Sequence, residues 1–363
     1  MSRRLVALLI SVWFGGIAFA NAAERIRVLP TERCGEFFFV QMEFAEDPER
    51  VLSMLLDTGA SHTVIDPDPL ERVSGTRVAI GKRARLPTLA AGEVTFSGIS
   101  ARVMSLDHLQ IVLGKPLDGI LGYPAFRKVL LTMDYPNEEV RVRIGSLPSP
   151  DGKRIFRTFK EKRRPLVKLD FGTESRLVLL DSGSFGGLLV NDSARLRTAE
   201  EPIAFDSSLR IDRVMIRSGA RLAGDLRFGA TTLISPTIVV GNSTDLVGAR
   251  VLRHFSVTYD QKNRRVMFER ATQAPIEFPS VREIGWALRP RKRGLEVLRV
   301  FDGLGASRAG VRPGDLVLAI DGIGVYDRDL CDHEPEKRSQ VQLTVERAGR
   351  RIDFDVAVDV VVP

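Results

Sequence analysis

Two short segments of the chain carry an aspartate, a hydroxyl residue and a glycine in the same order. Residues 57–59 read Asp-Thr-Gly and residues 181–183 read Asp-Ser-Gly. If folding brings Asp57 and Asp181 within hydrogen-bonding reach, the two carboxyls cannot both ionise cheaply and keep one proton between them. One ionised and one protonated carboxyl can serve as general base and general acid. The two segments therefore indicate hydrolysis by an activated water, without a metal or a covalent intermediate.

The two segments belong to a longer internal repeat. In each copy an apolar run leads into the aspartate, and two apolar residues and a glycine recur downstream, ending at Gly122 and Gly248. These glycines lie 65 and 67 residues after the aspartates, and Asp134 and Asp260 lie 77 and 79 residues after them. Taken singly, each motif also fits a simple turn between strands. Four landmarks in the same order at nearly equal spacing favour two similar halves.

The elements that must position these residues are β-strands. Short β-branched and aromatic runs, separated by Gly, Pro, Asn and Asp, extend through residues 35–270, whereas helical periodicity is scarce. Residues 37–44 alternate in their second half, as a strand does. The pattern predicts a mainly β protein with two similar lobes, at residues 24–150 and 151–272.

The paired motifs with their downstream glycines resemble bilobal, pepsin-like aspartic proteases, including the Asp-Thr-Gly form of retropepsins. The resemblance covers about residues 35–270. It implies two β-barrel lobes that form a cleft, with Asp57 and Asp181 as the catalytic residues of an aspartic endopeptidase. The implied substrate is a polypeptide, and neither a metal nor a cofactor is implied.

The resemblance also implies supporting roles for the residues around the two aspartates. The hydroxyls of Thr58 and Ser182 would bond across the lobe interface. Glycines would allow tight turns and close packing of the loops, at Gly59, Gly183, Gly122 and Gly248. The Ser184 hydroxyl would donate to Asp181, favour its ionised form and leave the shared proton mostly on Asp57.

One departure from the family concerns the flap that closes the cleft. The pepsin-like flap normally offers a tyrosine, yet none of the four tyrosines falls between residues 74 and 93, where a first-lobe flap is expected. The flap must therefore work differently. The alternative is an inactive relative that keeps the fold as a peptide-binding scaffold. A serine protease is not favoured, because no histidine or Gly-x-Ser-x-Gly segment suits one.

The pattern changes beyond a proline-flanked linker at residues 275–279. Residues 309–322 read AGVRPGDLVLAIDG and resemble the signature of a bacterial-type PDZ domain, with the resemblance covering residues 281–363. It implies a small β-barrel or sandwich with short helices. The implied partner is a peptide C-terminus, held by a carboxylate-binding loop that includes Gly285, Trp286, Ala287 and Leu288.

The segment expected to form the groove helix of this PDZ-like module is unusual. Residues 327–338 are short for that helix and contain Pro335, which is poor inside a helix. The groove is then narrow or closed, and a purely structural role is the alternative to peptide binding.

The N-terminus has the anatomy of a secretory signal peptide over residues 1–23. Arg3 and Arg4 precede an uncharged, mostly apolar run at residues 5–20, followed by small residues suited to cleavage. The run is short for a membrane span, although an uncleaved anchor is the alternative. We therefore expect an exported protein, periplasmic or extracellular, with no membrane span after cleavage.

Charge and metal-ligand residues exclude several classes of protein. Signal removal lowers the net charge only from +7 to +5. The basic runs at residues 160–164 and 289–293 lack interleaved aromatics, so they indicate solvated loops rather than a nucleic-acid site, with an anionic partner as the alternative. The four histidines are scattered, and two cysteines cannot build a multi-cysteine metal site.

The two cysteines allow two states in an oxidising compartment. A bond between Cys34 and Cys331 would tie the first lobe to the PDZ-like module. Two separate thiols remain the alternative, because nothing in the sequence places them close together.

Overall fold

The computed structural model describes residues 17–18, 25–161, 163–209, 214–241, 243–328, 331 and 338–363. The expected signal peptide lies outside the described residues except for positions 17–18, and most of the expected groove helix also lies outside them. Among the helices of the described part, none is both long and apolar enough to cross a membrane. The protein is mainly β, as the sequence predicts.

The first part of the chain forms thirteen strands and two short helices. The strands are β1 (Ile17–Ala18), β2 (Arg27–Val28), β3 (Thr31–Cys34), β4 (Phe37–Phe44), β5 (Asp47–Asp57), β6 (Thr63–Ile65), β7 (Arg83–Arg85), β8 (Leu89–Ala91), β9 (Val94–Phe96), β10 (Ser100–Val103), β11 (Gly119–Gly122), β12 (Leu130–Asp134) and β13 (Glu139–Arg143). The helices are α1 (Pro67–Ser74) and α2 (Asp107–Leu113), and a 3-10 helix at Tyr123–Phe126 follows β11.

The second part repeats much of this plan with thirteen strands and one helical turn. The strands are β14 (Ile155–Arg157), β15 (Phe159–Glu161), β16 (Arg164–Asp170), β17 (Ser175–Asp181), β18 (Leu188–Val190), β19 (Ile203–Leu209), β20 (Val214–Arg221), β21 (Leu226–Phe228), β22 (Thr231–Leu233), β23 (Thr237–Val240), β24 (Leu246–Gly248), β25 (Ser256–Asp260) and β26 (Arg265–Glu269). The helical turn is α3 (Ala249–Leu252), which directly follows β24.

The two halves share one strand order around their aspartates. In the first, β4, β5, β11, β6 and β10 are neighbours, and in the second β16, β17, β24, β18 and β23 are neighbours. The strand directions also agree. Strand β5 is parallel to β11, and β17 is parallel to β24. Strand β6 is antiparallel to β11, and β18 is antiparallel to β24. The sequence repeat is therefore a repeat of sheet topology.

A six-stranded sheet joins the halves, in the order β14, β26, β25, β12, β13, β2. Its central pair, β12 and β25, is antiparallel with Thr132 opposite Thr258, and their hydroxyls lie 2.9 Å apart. Asp134 and Asp260 occupy equivalent ends of these strands, and each accepts hydrogen bonds from an asparagine three residues later. The two halves thus meet about a local two-fold axis and share one large hydrophobic core.

The last part of the chain forms eight strands and one short helix. They are β27 (Val281–Glu283), β28 (Trp286–Arg291), β29 (Gly294–Val300), β30 (Leu316–Ile320), β31 (Ile323–Gly324), β32 (Gln340–Arg347), β33 (Arg350–Ala357), β34 (Asp359–Val362) and α4 (Gly305–Ala309). This module has its own core, built from Ile284, Val297, Ala306, Val311, Val317, Val325, Leu343, Val345 and Val356.

The end of the chain packs on the second half. Val361 and Val362 of β34 are buried against Phe205 of β19. The Arg221 guanidinium donates to the backbone carbonyl of Pro363. Strands β28 and β19 also lie in contact. The C-terminal module is therefore docked on the second half rather than tethered at a distance.

Candidate active site

The two aspartates end two topologically equivalent strands. Asp57 is the last residue of β5 and lies opposite Gly122 in β11, and Asp181 is the last residue of β17 and lies opposite Gly248 in β24. Both side chains are partly exposed. Since each chain leaves its sheet immediately after the aspartate, the two carboxyls sit on loops at the boundary between the halves.

Thr58 and Ser182 lock these loops together through four hydrogen bonds. The Thr58 N–H donates to the Ser182 hydroxyl at 2.9 Å, and the Ser182 N–H donates to the Thr58 hydroxyl at 3.0 Å. Each hydroxyl then donates to the carbonyl that precedes the opposite aspartate, at 2.8 Å to Leu180 and 3.0 Å to Leu56. Both side chains are buried. We call these four hydrogen bonds the hydroxyl crossing. Both hydroxyls and both N–H groups in it have a partner, so the two loops are held at a fixed separation.

Each loop glycine faces the carboxyl of the other half. A Cβ added to Gly59 would lie 2.4 Å from Cγ of Asp181, and one added to Gly183 would lie 2.5 Å from Cγ of Asp57. The two carboxyls themselves are within hydrogen-bonding reach of each other. The structure therefore brings together the aspartates that the sequence places 124 residues apart.

The two downstream glycines pack beneath the loops. A Cβ added to Gly122 would lie 2.6 Å from the carbonyl oxygen of His62, and one added to Gly248 would lie 2.3 Å from that of Gly186. Backbone replaces side chain at both positions, so the strands that carry the aspartates approach their neighbours closely.

Burial raises the pKa of both aspartates, because a charged carboxylate loses hydration in the folded chain. At Asp57 the N–H groups of Gly59, at 2.7 Å, and Ala60, at 3.1 Å, oppose that rise in pKa. At Asp181 the charge of Asp57 adds to burial, and the Gly183 N–H at 3.0 Å is the backbone donor that opposes it. The pKa of Asp181 is therefore raised well above its ordinary value. The additional backbone donor at Asp57 favours the ionised form there and the protonated form at Asp181.

This proton position differs from the expectation drawn from Ser184. The Ser184 hydroxyl accepts from the Gly186 N–H at 3.4 Å instead of donating to Asp181. The carboxylate with the larger number of backbone donors is Asp57, so the ionised form is favoured there. The sequence suggests the reverse because it shows the hydroxyl at position 184 but not the backbone donor at position 60.

Two further features beside the aspartates were missed by sequence reasoning. The Phe185 ring packs edge-on against Phe37, with centroids 4.0 Å apart, and Phe185 stays 43% exposed. The positive charge of Arg164 lowers the pKa of both aspartates, against the larger effect of burial. Because Phe185 directly follows the second motif, its position in the sequence could have predicted that it lies near Asp181. Arg164 belongs to a basic run that is typical of a solvated loop, so the sequence carries no such indication for it.

The segment expected to form a flap is largely built into the first sheet. Strand β7 pairs with β10, and β8 pairs with β4 and β9. Leu86 and Leu89 are buried, whereas residues 75–82 are mostly exposed and carry Ile80 at 63% exposure. A large apolar side chain, not a tyrosine, stands out on this segment.

The expected carboxylate-binding loop lies at the start of β28, an edge strand of its sheet. Gly285 adopts a left-handed conformation with φ of 82°. Ala287 is buried in full, Leu288 packs partly against the module core, and Trp286 lines a cavity of about 130 Å³ together with Arg282, Arg328 and Arg338. Of the four residues, Trp286 is the one whose side chain faces this cavity.

Cys34 and Cys331 form a disulfide that closes a loop of 297 residues. Cys34 is fully buried at the end of β3. Of the two states that the sequence leaves open, the structure contains the bonded one, which links the first half to the C-terminal module.

No group of three or more His, Cys, Asp or Glu side chains suited to a metal ion occurs within the described ranges.

Comparisons with known proteins give little further guidance. No protein-family model matches the sequence, and no curated protein matches it. Among solved structures the chain is similar to a PDZ domain protein from Parabacteroides distasonis, at 18% identity and a TM-score of 0.20. The similar part covers 23% of this chain and 21% of that protein, so the chain spans about a fifth of the length of the structure it matches.

Proposed function

We propose that the protein is an exported aspartic endopeptidase with two pepsin-like lobes, in which Asp57 and Asp181 hydrolyse peptide bonds. One observation carries the proposal. Two carboxyls from equivalent strands lie within hydrogen-bonding reach, and each faces the loop glycine of the other half. Aspartic proteases are the standard case in which two neighbouring carboxyls share one proton.

The geometry suggests distinct roles for the two carboxyls. Ionised Asp57 takes a proton from a water between the groups, and the water oxygen attacks the carbonyl carbon of the substrate. Asp181 gives its proton to the carbonyl oxygen and so stabilises the developing negative charge. The diol intermediate then returns a hydroxyl proton to Asp181, the C–N bond breaks, and the leaving nitrogen receives the proton held by Asp57.

The surroundings favour an extended polypeptide with apolar side chains. Phe185 and Phe37 form an aromatic ledge directly beside the second catalytic loop. A neighbouring cavity of about 260 Å³ has an apolar side formed by Phe185, Leu188 and Phe278, and charged residues such as Arg250 and Glu283 line the rest. Burying an apolar side chain here would position the scissile bond through binding energy remote from the reacting atoms.

Export and a peptide-binding PDZ module complete the proposal. The N-terminal signal features and the disulfide both suit an oxidising compartment, periplasmic or extracellular. The position of β28 at the end of its own sheet and the three arginines near Trp286 suit a peptide that ends in a carboxylate.

The test is turnover of a peptide library by the secreted chain and by three variants. Asp57→Asn and Asp181→Asn should each lower kcat about a thousandfold or more, and the double variant should lose almost nothing further. Asp302→Asn makes the same chemical change at an exposed carboxyl and should leave turnover unchanged. A peptide carrying a statine-type transition-state mimic should inhibit the wild type.

Two outcomes would replace this proposal. Near-wild-type turnover in either aspartate variant would show that the residues do not act as a unit. Tight peptide binding without any turnover by the wild type would identify a non-catalytic peptide-binding scaffold instead.

A further inference from the structure

A second cavity lies where four separate segments meet. It has a volume of about 700 Å³ and is formed by the chain after β11, the link between β14 and β15, the start of β16 and the turn between β25 and β26. We call it the basic pocket, because its lining includes the six cations Arg127, Lys128, Arg163, Arg164, Lys262 and Arg264. Residues of both halves contribute, so the pocket exists only in the assembled fold.

The lining of the basic pocket is rich in cations. Among the residues that the structure describes, no aspartate or glutamate lines it. Several arginines elsewhere with buried or half-buried side chains face a carboxylate, as Arg176 faces Glu174 and Asp245. In contrast, Arg163, Arg164, Lys262 and Arg264 form no ion pair with any residue in the described part of the chain. Cations gathered in a concave surface raise the local concentration of anions.

Arg164 adds a second, independent observation. Its Nε atom is buried and has no hydrogen-bond acceptor. A buried donor of this kind normally has a partner, and a ligand oxygen or a water in the pocket would supply one. The neighbouring Gln261 amide is already used, because its Nε2 donates to the Tyr123 carbonyl at 2.6 Å.

The pocket's donors define the chemistry of the missing acceptor. Arginine forks match the oxygens of phosphate in pairs, and several cations together suit a group with more than one negative charge. The volume suits a small molecule or a lipid headgroup, not a folded domain. We propose that the basic pocket binds a multiply charged phosphate-bearing ligand. The proposal rests on this pocket alone and does not depend on the peptidase activity.

Inorganic tripolyphosphate is the probe, titrated into the full chain by calorimetry at fixed ionic strength. We expect one site per chain and at least tenfold weaker binding in Arg164→Gln/Arg264→Gln, since each removes a charged donor. Lys262→Gln/Arg264→Gln changes exposed side chains only, so it tests the pocket even if Arg164 proves necessary for folding. The charge-matched control is Arg85→Gln/Arg227→Gln, at two exposed positions outside the pocket.

The result that overturns the proposal is no binding by the wild type, or an equal loss in the pocket variants and in the control. Co-sedimentation with vesicles distinguishes the sources of the phosphate. Binding to cardiolipin vesicles, whose headgroup carries two phosphates, but not to phosphatidylcholine vesicles, blocked by tripolyphosphate and lost in the pocket variants, assigns a lipid headgroup. Tripolyphosphate binding without vesicle binding assigns a soluble ligand.

Discussion

The loops that carry Asp57 and Asp181 share strand order, register and hydroxyl crossing. They differ in the number of backbone N–H groups that donate to each carboxyl. Two backbone N–H groups donate to one oxygen of Asp57, and one donates to Asp181. The extra donor at Ala60 favours the charged form of Asp57, and that charge in turn raises the pKa of Asp181. A nearly two-fold frame thus gives the two carboxyls different electrostatic environments through a single additional hydrogen bond.

Among the changes that leave both aspartates in place, the largest effect is expected at the glycines that face the opposite carboxyl. Gly59→Ala and Gly183→Ala would each place a Cβ within 2.4–2.5 Å of the opposing Cγ and force that carboxyl aside. A displacement of about 1 Å can cost a hundredfold in rate, so we expect at least that loss of kcat in both variants. Gly224→Ala, where an added Cβ meets nothing within 4 Å, is the matched control. Full activity in either loop variant would mean that the loop glycines do not face the opposite carboxyls at these distances.

The hydroxyl crossing should respond equally from both sides. Thr58→Val and Ser182→Ala each leave the partner's buried N–H and a buried carbonyl unpaired, and each should lower the free energy of unfolding by about 2 kcal/mol. Urea denaturation measures the loss. Thr58→Ser and Ser182→Thr keep the hydroxyl and should restore most of it. Very unequal losses would show that the crossing is not a symmetric lock.

A smaller effect is expected on the free energy of unfolding, which should differ between the asparagine variants of the two aspartates. A carboxyl whose pKa is raised on folding holds a proton that the unfolded chain releases, so stability falls as pH rises above the unfolded pKa. Asparagine substitution removes this loss. Because Asp57 has more backbone donors than Asp181, Asp181→Asn should stabilise the fold at pH 7 more than Asp57→Asn does. The gain should vanish near pH 3, where both states are protonated; a gain that persists there would need another cause.

The smallest expected effect is at Ser184. Its hydroxyl accepts from Gly186 and does not contact the Asp181 carboxyl. Ser184→Ala should therefore leave the acid limb of the pH–rate profile in place. A shift of that limb to higher pH would restore the role that the sequence suggests for this residue.

The sequence predicts much of the frame because local patterns set it. Strands β4, β6 and β18 begin and end where the apolar runs do, and the repeat of Asp and Gly landmarks corresponds to one repeated strand order. The mainly β class is confirmed. The boundaries of the lobes and of the PDZ-like module stay predictions, and so do the roles of the site residues.

Features that depend on contacts distant in sequence were not predictable. The Cys34–Cys331 bond joins positions 297 residues apart, and no local sequence pattern indicates that these two positions are in contact. The position of the shared proton depends on which backbone N–H groups point at each carboxyl, which residue types do not reveal. The basic pocket combines residues from both halves, so its charges look like separate solvated loops in the sequence.

Infrared difference spectroscopy of the dyad tests the central claim, one shared proton held on Asp181, most directly. Glu283→Gln should be the background, because burial raises the pKa of Glu283 to about 7 and its own protonated carboxyl would contribute. At a pH where peptide turnover is maximal, we expect one protonated-carboxyl band that disappears in Asp181→Asn, since the remaining Asp57 is ionised. A band of unchanged intensity in Asp181→Asn, or no such band in the active protein, would contradict a proton shared by this pair.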